Sequence, residues 1–164
     1  MIVIADTTPI NYLVLLSKTE VLRRLYGRVI IPAAVIAELK AHAAPPEVRC
    51  WASAPPPWLE VRQVLAPSES ALAPLDEGER EAIVLAEQLR ADVLLMDDLG
   101  GPREAGRRRL NVTGTLTVLF IAAERGFLDD FPATLQELRR TGFRASPQLI
   151  RFFLDRYSKS RDKV

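Results

Sequence analysis

Two short apolar runs that each end in aspartate place the strongest constraint on how this chain folds. Asp6 follows the run at residues 2–5, and Asp97 and Asp98 follow the run at 93–96. Continuous apolar runs of this length are typical of strands that are buried on both faces of a parallel sheet. In an open α/β sheet the ligand crevice lies outside the carboxyl ends of the strands. The sequence therefore predicts a group of carboxylates at one crevice.

Two more acids, Glu38 and Glu79, stand beside apolar segments and join this group as candidates. Several carboxylates cannot share one site fully ionised unless a cation is present. Hard oxygen ligands suit Mg²⁺ or Mn²⁺. Each acid alone has an ordinary alternative: Asp6, Asp97 or Asp98 can cap a following helix, Glu38 can be a solvated helix residue, and the helix dipole favours acids such as Glu79 in a first turn.

Strand-like and helix-like segments alternate along the chain, which predicts an α/β fold. Strands are expected at 2–5, 29–31, 59–64 (an edge strand), 93–96 and 111–113. Helices are expected at 7–16, 20–26, 33–41, 46–52, 76–89, from 103 onward, 116–125, 131–141 and 147–157, with a turn at 100–102 and Thr115 as a helix cap. Residues 1–157 are predicted to form one domain, and residues 158–164 a frayed polar tail.

Composition limits the possible functions but does not identify one. The chain has 164 residues, 48% of them hydrophobic, which suffices for one domain with a core. The formal net charge is +1, so nucleic-acid binding would need a local basic patch. Cys50 is the single cysteine, which fits a reducing compartment, and it is expected to be at least half buried. Neither a leader nor a bilayer-spanning stretch is seen, so a cytoplasmic protein is expected, with no membrane association.

The ordered set of acids is similar to that of the PIN-domain ribonucleases. The set comprises Asp6, Glu38 after the second strand, the segment at 75–83 with its Gly78-Glu79 pair, and the segment at 94–98. A Val-Thr-Gly-Thr segment at 112–115 and the residues at 138–144 resemble a branch of VapC-like proteins. The resemblance covers nearly the whole chain. It implies a three-layer α/β/α fold with a central parallel sheet of four to five strands.

The resemblance also implies an activity, a Mg²⁺- or Mn²⁺-dependent endoribonuclease that is often the toxin of a toxin–antitoxin pair. The family's acids correspond to Asp6, to Glu38, to Glu79 with Asp76 as the alternative, and to Asp97 or Asp98. The family's hydroxyl beside the first acid corresponds to Thr7 or Thr8. At the third position this chain has Glu79, where many active toxins have Asp. An RNA substrate, a cognate antitoxin and a homodimer are the implied partners.

Basic and hydroxyl residues near these acids are candidates for RNA contact. Arg103, Arg107, Arg108 and Arg109 follow the fourth acid and can contact RNA phosphates. They can equally be a solvated helix face or a dock for an acidic antitoxin segment. Helix starts near Thr7 and Thr115 can offer backbone N–H groups to a phosphate, although Gly114-Thr115 also reads as a glycine turn and an ordinary helix cap.

Two other functional classes remain open on the sequence. One is a PIN-fold protein with a weakened site that acts as a nucleic-acid-binding or regulatory module. The other is an unrelated α/β hydrolase of the aspartyl-phosphate phosphatase type. Such a phosphatase needs a second Asp two residues after its nucleophile, whereas Asp6 is followed by Thr7 and Thr8, which argues against that class.

Overall fold

A single parallel sheet organises the molecule. The computed structural model describes residues 1–65, 70–97 and 100–162. Within these residues the sheet has five strands in the order β3-β2-β1-β4-β5, all parallel. The strands are β1 (Val3–Ala5), β2 (Val29–Pro32), β3 (Leu59–Arg62), β4 (Val93–Leu95) and β5 (Val112–Thr113).

Helices connect the strands and cover both faces of the sheet. Those in the described residues are α1 (Thr7–Leu15), α2 (Glu20–Tyr26), α3 (Ala33–Lys40), α4 (Pro46–Ser53), α5 (Glu77–Leu89), α6 (Gly100–Arg107), α7 (Thr115–Glu124), α8 (Phe131–Arg140) and α9 (Pro147–Arg161). A short 3₁₀ turn spans Ser70–Leu72. This arrangement is the predicted α/β fold, with a central parallel sheet flanked by helices.

Alternation of side chains along the strands divides the core into two layers. Val3 and Ala5 face the larger layer, which contains residues of α1, α2, α7 and α8, whereas Ile4 faces the layer beneath α5 and α6. Leu95 and Leu94 divide in the same way. This division follows from the two-residue period of a strand. Both faces are apolar, which explains why these strands appear as continuous hydrophobic runs.

The strand order reverses between β1 and β4, in the middle of the sheet. β1 has β2 on one side and β4 on the other, with Ala5 aligned with Leu95. The two connections leave the carboxyl ends of these strands in opposite directions, and such a reversal opens a crevice. Asp6 and Asp97 therefore lie at the same edge of the sheet, as the sequence predicted.

Three local predictions are wrong in informative ways. Helix α6 begins at Gly100, so the residues at 100–102 form its first turn rather than a separate loop. The N-cap of α7 is Gly114, and Thr115 is its first helical residue. Helix α9 continues to Arg161, into the predicted frayed tail. In addition, Cys50 is exposed rather than half buried.

Among the described residues, no helix combines the length and apolarity needed to cross a bilayer.

Candidate metal centre

Asp6 lies at the bottom of the crevice, where β1 ends and α1 begins. Its side chain is only 2% exposed, and within the described structure its Oδ1 atom has no hydrogen-bond partner. Burial raises the pKa of this carboxyl from 3.8 to about 8, although the backbone N–H of Thr7 lowers it. The charges of Asp76, Glu79 and Glu38 raise the pKa further. A buried carboxylate oxygen without a donor is costly unless a proton or a cation satisfies it.

Glu38 reaches the crevice from α3 and is held from two sides. The hydroxyl of Thr7 donates to its Oε2 atom, and the backbone N–H of Gly78 donates to Oε1 at 2.8 Å. Residue 78 can make this bond because it is glycine. A Cβ there would stand 2.5 Å from Oε2 of Glu38. The start of α5 therefore fixes the position of a carboxylate that α3 supplies.

Asp76 completes a three-carboxylate group with Asp6 and Glu38. One carboxylate oxygen from each residue lies within 4.8 Å of the other two. Asp76 is the N-cap of α5, and its Oδ1 accepts the backbone N–H of Glu79 at 2.8 Å. Its cap role explains its position, because an N-cap side chain must turn back over the first helical turn.

Glu79 and Asp76 form a capping box, in which each side chain accepts the backbone N–H of the other residue. Oε2 of Glu79 accepts the backbone N–H of Asp76 at 3.2 Å, and Glu79 is 8% exposed. A Cβ added to Gly101 would stand 3.2 Å from its other oxygen, so the carboxylate lies close under the first turn of α6. Glu79 thus lies near the crevice, but it falls outside the group formed by Asp6, Glu38 and Asp76.

Asp97 follows β4 and is bound to the start of α7. The backbone N–H of Thr115 donates to its Oδ1 at 2.8 Å, and the hydroxyl of Thr115 donates to Oδ2 at 2.5 Å. Asp97 is half buried and is also outside the three-carboxylate group. Thr115 is therefore a partner of an acid, which explains why it does not cap its own helix. The other candidate at this position, Asp98, lies outside the described residues.

Comparison with protein families agrees with this geometry. Residues 2–159 match the model of DUF3368, described as a PIN domain. The chain belongs to the PIN domain family. Proteins with this domain are generally nucleases. Comparison with curated proteins gives no significant match.

A solved structure supports the fold of this PIN domain independently. It is a PilT N-terminus domain protein from the hyperthermophilic archaeon Sulfolobus solfataricus P2, which is 16% identical and superposes with a TM-score of 0.51. The match covers 79% of this chain and 96% of the other. At this identity the similarity concerns the fold alone.

The donor set of this PIN domain fits a hard divalent cation. The grouped atoms are all carboxylate oxygens, and among the described residues Oδ1 of Asp6 has no hydrogen-bond donor. Mg²⁺ and Mn²⁺ are commonly held by such oxygens, with water filling the remaining positions. The acidic cluster can therefore bind a metal ion.

The basic run at residues 107–109 lies away from the rim of the crevice. Helix α6 starts after Asp97 and runs back towards the amino end of β5, so Arg107, Arg108 and Arg109 lie at its far end. Arg108 is 14% exposed and donates to Glu87 at 2.8 Å and to Glu104 at 3.0 Å. It links α5 to α6. Contact between this run and RNA remains a prediction, on a surface away from the acids.

Two positioning groups could not be predicted from the sequence. The first is the backbone N–H of Gly78, which carries no side-chain signal. The second is Glu81, whose Oε2 accepts the backbone N–H of Ala34 at 3.0 Å and ties the start of α3 to α5. In the sequence, Glu81 is one of several charged residues on a helix, and nothing distinguishes it from a solvated one.

Proposed function

We propose that this PIN domain is a metal-dependent endoribonuclease that hydrolyses phosphodiester bonds in single-stranded RNA. The observation that carries the proposal is the buried Asp6 carboxyl, which lies with Glu38 and Asp76 in a single group and whose Oδ1 has no hydrogen-bond partner among the described residues. A structural role alone does not account for three acids brought together in this way, because their mutual repulsion disfavours the ionised state.

In the proposed site, Asp6, Glu38 and Asp76 hold the cation, with Glu79 and Asp97 beside them. A divalent ion supplies Lewis acidity and lowers the pKa of a bound water. The chain's own part is to position the ligands. Thr7 and Gly78 orient Glu38, and Thr115 orients Asp97. The N-terminal ends of α1 and α7 flank the crevice, and N–H groups there are suited to a phosphate.

The test is cleavage of a labelled single-stranded RNA with Mg²⁺ or Mn²⁺ and with excess EDTA. We expect cleavage only with the ion, and we expect Asp6→Asn to abolish it, because Asn keeps the shape but lacks the charge. Asp155→Asn, an exposed acid on α9, is the matched control and should cleave normally. Equal cleavage in EDTA would show that the mechanism is wrong.

We further propose that the protein is the toxin of a toxin–antitoxin pair. The support is the resemblance of the acid set and of residues 112–115 to VapC-like proteins. Induced expression should then arrest growth, Asp6→Asn should relieve the arrest, and a small DNA-binding antitoxin should be encoded immediately upstream. Growth arrest that persists in Asp6→Asn would contradict nuclease toxicity.

A homodimer is part of the same proposal. The apolar residues of α1 and α2 contribute to the chain's own core, with Leu22 buried and Leu25 packed against it, so they are not a free surface. Trp51 and Trp58 are half buried, with ring centroids 6.4 Å apart, and they are candidates for an interface because Trp is enriched at interfaces. Sedimentation that shows only monomer at micromolar concentrations would contradict the dimer.

The second candidate function is a nucleic-acid-binding or regulatory module with a weakened site. It is favoured by the capping box, which holds Glu79 to the backbone of Asp76 and restrains it from turning towards a cation. This function predicts that RNA binds but is not cut with any divalent ion. The cleavage assay described above distinguishes the two functions directly.

A further inference from the structure

A cavity of about 890 Å³ opens beside Asp97. Asp97 forms part of its wall, so the cavity is continuous with the crevice. Its other walls come from α1, α6, β5, α7, α9 and residues 142–145, together with Met96 after β4. Its volume lies in the range of pockets that bind small ligands, roughly 300–1,000 Å³.

The lining of this cavity is suited to a flat aromatic group. Tyr12 and Phe143 meet edge to face in its wall, with ring centroids 5.0 Å apart and planes at 84°. Leu149 and Phe153 add apolar surface, and Thr117 adds a hydroxyl. Aromatic and apolar walls with a few polar groups accept a ring by stacking and can hydrogen-bond its edge.

A positively charged side chain lies next to the aromatic wall. Arg144 also lines the cavity, is exposed, and makes no ion pair with any residue in the described part of the chain. The cavity therefore combines a stacking surface with a positive charge, and it borders a carboxylate group suited to a metal. A single-stranded nucleic acid meets all these requirements, since it presents a base and a phosphate in every nucleotide.

We propose that this cavity, which we call the Phe143 cavity, holds a base of single-stranded RNA while a neighbouring phosphate of the strand lies at the carboxylates. The inference rests on the proposed nuclease function and adds a subsite to it. Phe143 stacks on the face of the base, Tyr12 meets the base edge to face, and Arg144 contacts the backbone beside it. The cavity thus positions the strand, and it selects unpaired nucleotides because a paired base cannot enter.

The experiment measures binding separately from cleavage. A labelled RNA octamer and an abasic octamer with the same backbone are titrated with protein in Ca²⁺, and anisotropy is recorded. We expect Phe143→Ala to weaken binding of the normal octamer about tenfold and to leave binding of the abasic octamer unchanged, because only the former can stack. Phe152→Ala, an aromatic residue that is 51% exposed and lies outside the cavity, is the control and should bind both octamers normally.

A second variant keeps the test decisive if Phe143→Ala fails to fold. Leu149 lines the cavity and is 42% exposed, so Leu149→Asp adds a negative charge there with little disturbance of the core. It should weaken binding of the normal octamer more than that of the abasic one. The inference is overturned if both cavity variants bind the two octamers as the unmodified protein does, or if a single-stranded DNA octamer binds better than RNA.

The outcomes separate this inference from the nuclease proposal. Base-dependent loss of binding without cleavage in any divalent ion would support the Phe143 cavity and contradict the nuclease. Cleavage that depends on Asp6, together with an unchanged KM in Phe143→Ala and Leu149→Asp, would support the nuclease and overturn the cavity's role. A cross-link between an octamer with one 4-thiouridine and Phe143 or Tyr12 would place the base directly.

Discussion

Gly78 donates its backbone N–H to Oε1 of Glu38 at 2.8 Å, although the two residues are 40 positions apart in the chain. A Cβ at residue 78 would stand 2.5 Å and 2.8 Å from the two carboxylate oxygens. Because these atoms are the end of a flexible side chain, the carboxylate can move aside without disturbing the backbone. The glycine therefore controls where Glu38 lies rather than whether the chain folds.

Gly78→Ala should accordingly separate stability from metal binding. Ala is a better helix former than Gly by about 1 kcal/mol, so the free energy of unfolding should be unchanged or slightly higher. Displacement of Glu38 should weaken Mn²⁺ binding by about 10- to 100-fold, as is usual when a group that orients a ligand is lost. Isothermal titration with Mn²⁺ and urea denaturation measure the two effects.

Gly106→Ala is the matched control for this substitution. A Cβ at residue 106, on α6, would meet nothing within 4 Å. This variant should gain helix stability in the same way and bind Mn²⁺ normally. Equal Mn²⁺ affinity in Gly78→Ala and Gly106→Ala would mean that Glu38 is not a ligand.

The raised pKa of Asp6 predicts how metal-free stability depends on pH. The folded carboxyl has a pKa of about 8, and its ordinary value is 3.8. Between these values the folded state keeps a proton that the unfolded state has released, so stability falls as pH rises across this window. The slope from one such group is at most about 1.4 kcal/mol per pH unit.

Urea denaturation in EDTA at pH 5 and pH 7.5 measures this effect. The unmodified protein should lose more stability across the interval than Asp6→Asn, which has no carboxyl to protonate and should be the more stable of the two at pH 7.5. Titrating groups that do not interact with Asp6 behave alike in both proteins and cancel in the comparison. An identical pH dependence would show that Asp6 does not keep its proton in the folded state.

The fold was predictable because the local signals agree with one another. The apolar runs at 2–5 and 93–96 are buried strands, Gly27 ends α2 with a positive φ of 76°, and proline opens α9. Each of these features is determined by backbone sterics or by the burial of residues that are close together in the sequence. The start of α6 was missed because Gly100 and Gly101 are typical of a turn, and only the close packing of Gly101 against Met96 explains why glycine is needed there.

The candidate site was less predictable because its contacts are distant in sequence. Whether Asp76 or Glu79 meets Asp6 depends on how the first turn of α5 is rotated over the sheet, and the sequence specifies only that both acids are in that turn. The link between Thr115 and Asp97 likewise depends on β4 and β5 being neighbours. Spacing alone gives the order of the acids but not their distances.

Asp76 and Glu79 can be distinguished by isosteric substitutions. Asn at residue 76 and Gln at residue 79 both preserve the capping box while removing one charge. Because Asp76 is grouped with Asp6 and Glu38, we expect Asp76→Asn to reduce Mn²⁺ affinity about tenfold more than Glu79→Gln. Titration calorimetry with Mn²⁺ decides between them. The reverse order would assign Glu79 as the third ligand and mean that it leaves the capping box when the ion binds.

The last prediction concerns which arginine of α6 contacts RNA. Arg103 lies near the start of the helix, on the crevice side, is exposed, and forms no ion pair with a described residue. Arg107 lies one turn further from the crevice, beside Glu104 at 3.4 Å. Arg108 is unsuitable for this test, because Arg108→Ala would break the link to Glu87 and Glu104 and should lower the Tm by itself.

Arg103→Ala and Arg107→Ala are therefore a matched pair of exposed substitutions on one helix. Each phosphate contact contributes about 0.7 to the slope of log K against log salt for a single strand, because a counterion is released there. We expect Arg103→Ala to reduce this slope by about that amount and Arg107→Ala to change it little, while both proteins keep their Tm. Octamer binding measured between low and moderate salt gives the slopes. A larger loss in Arg107→Ala would mean that RNA extends along α6 towards the amino end of β5, and the basic run would then be part of the RNA-binding surface.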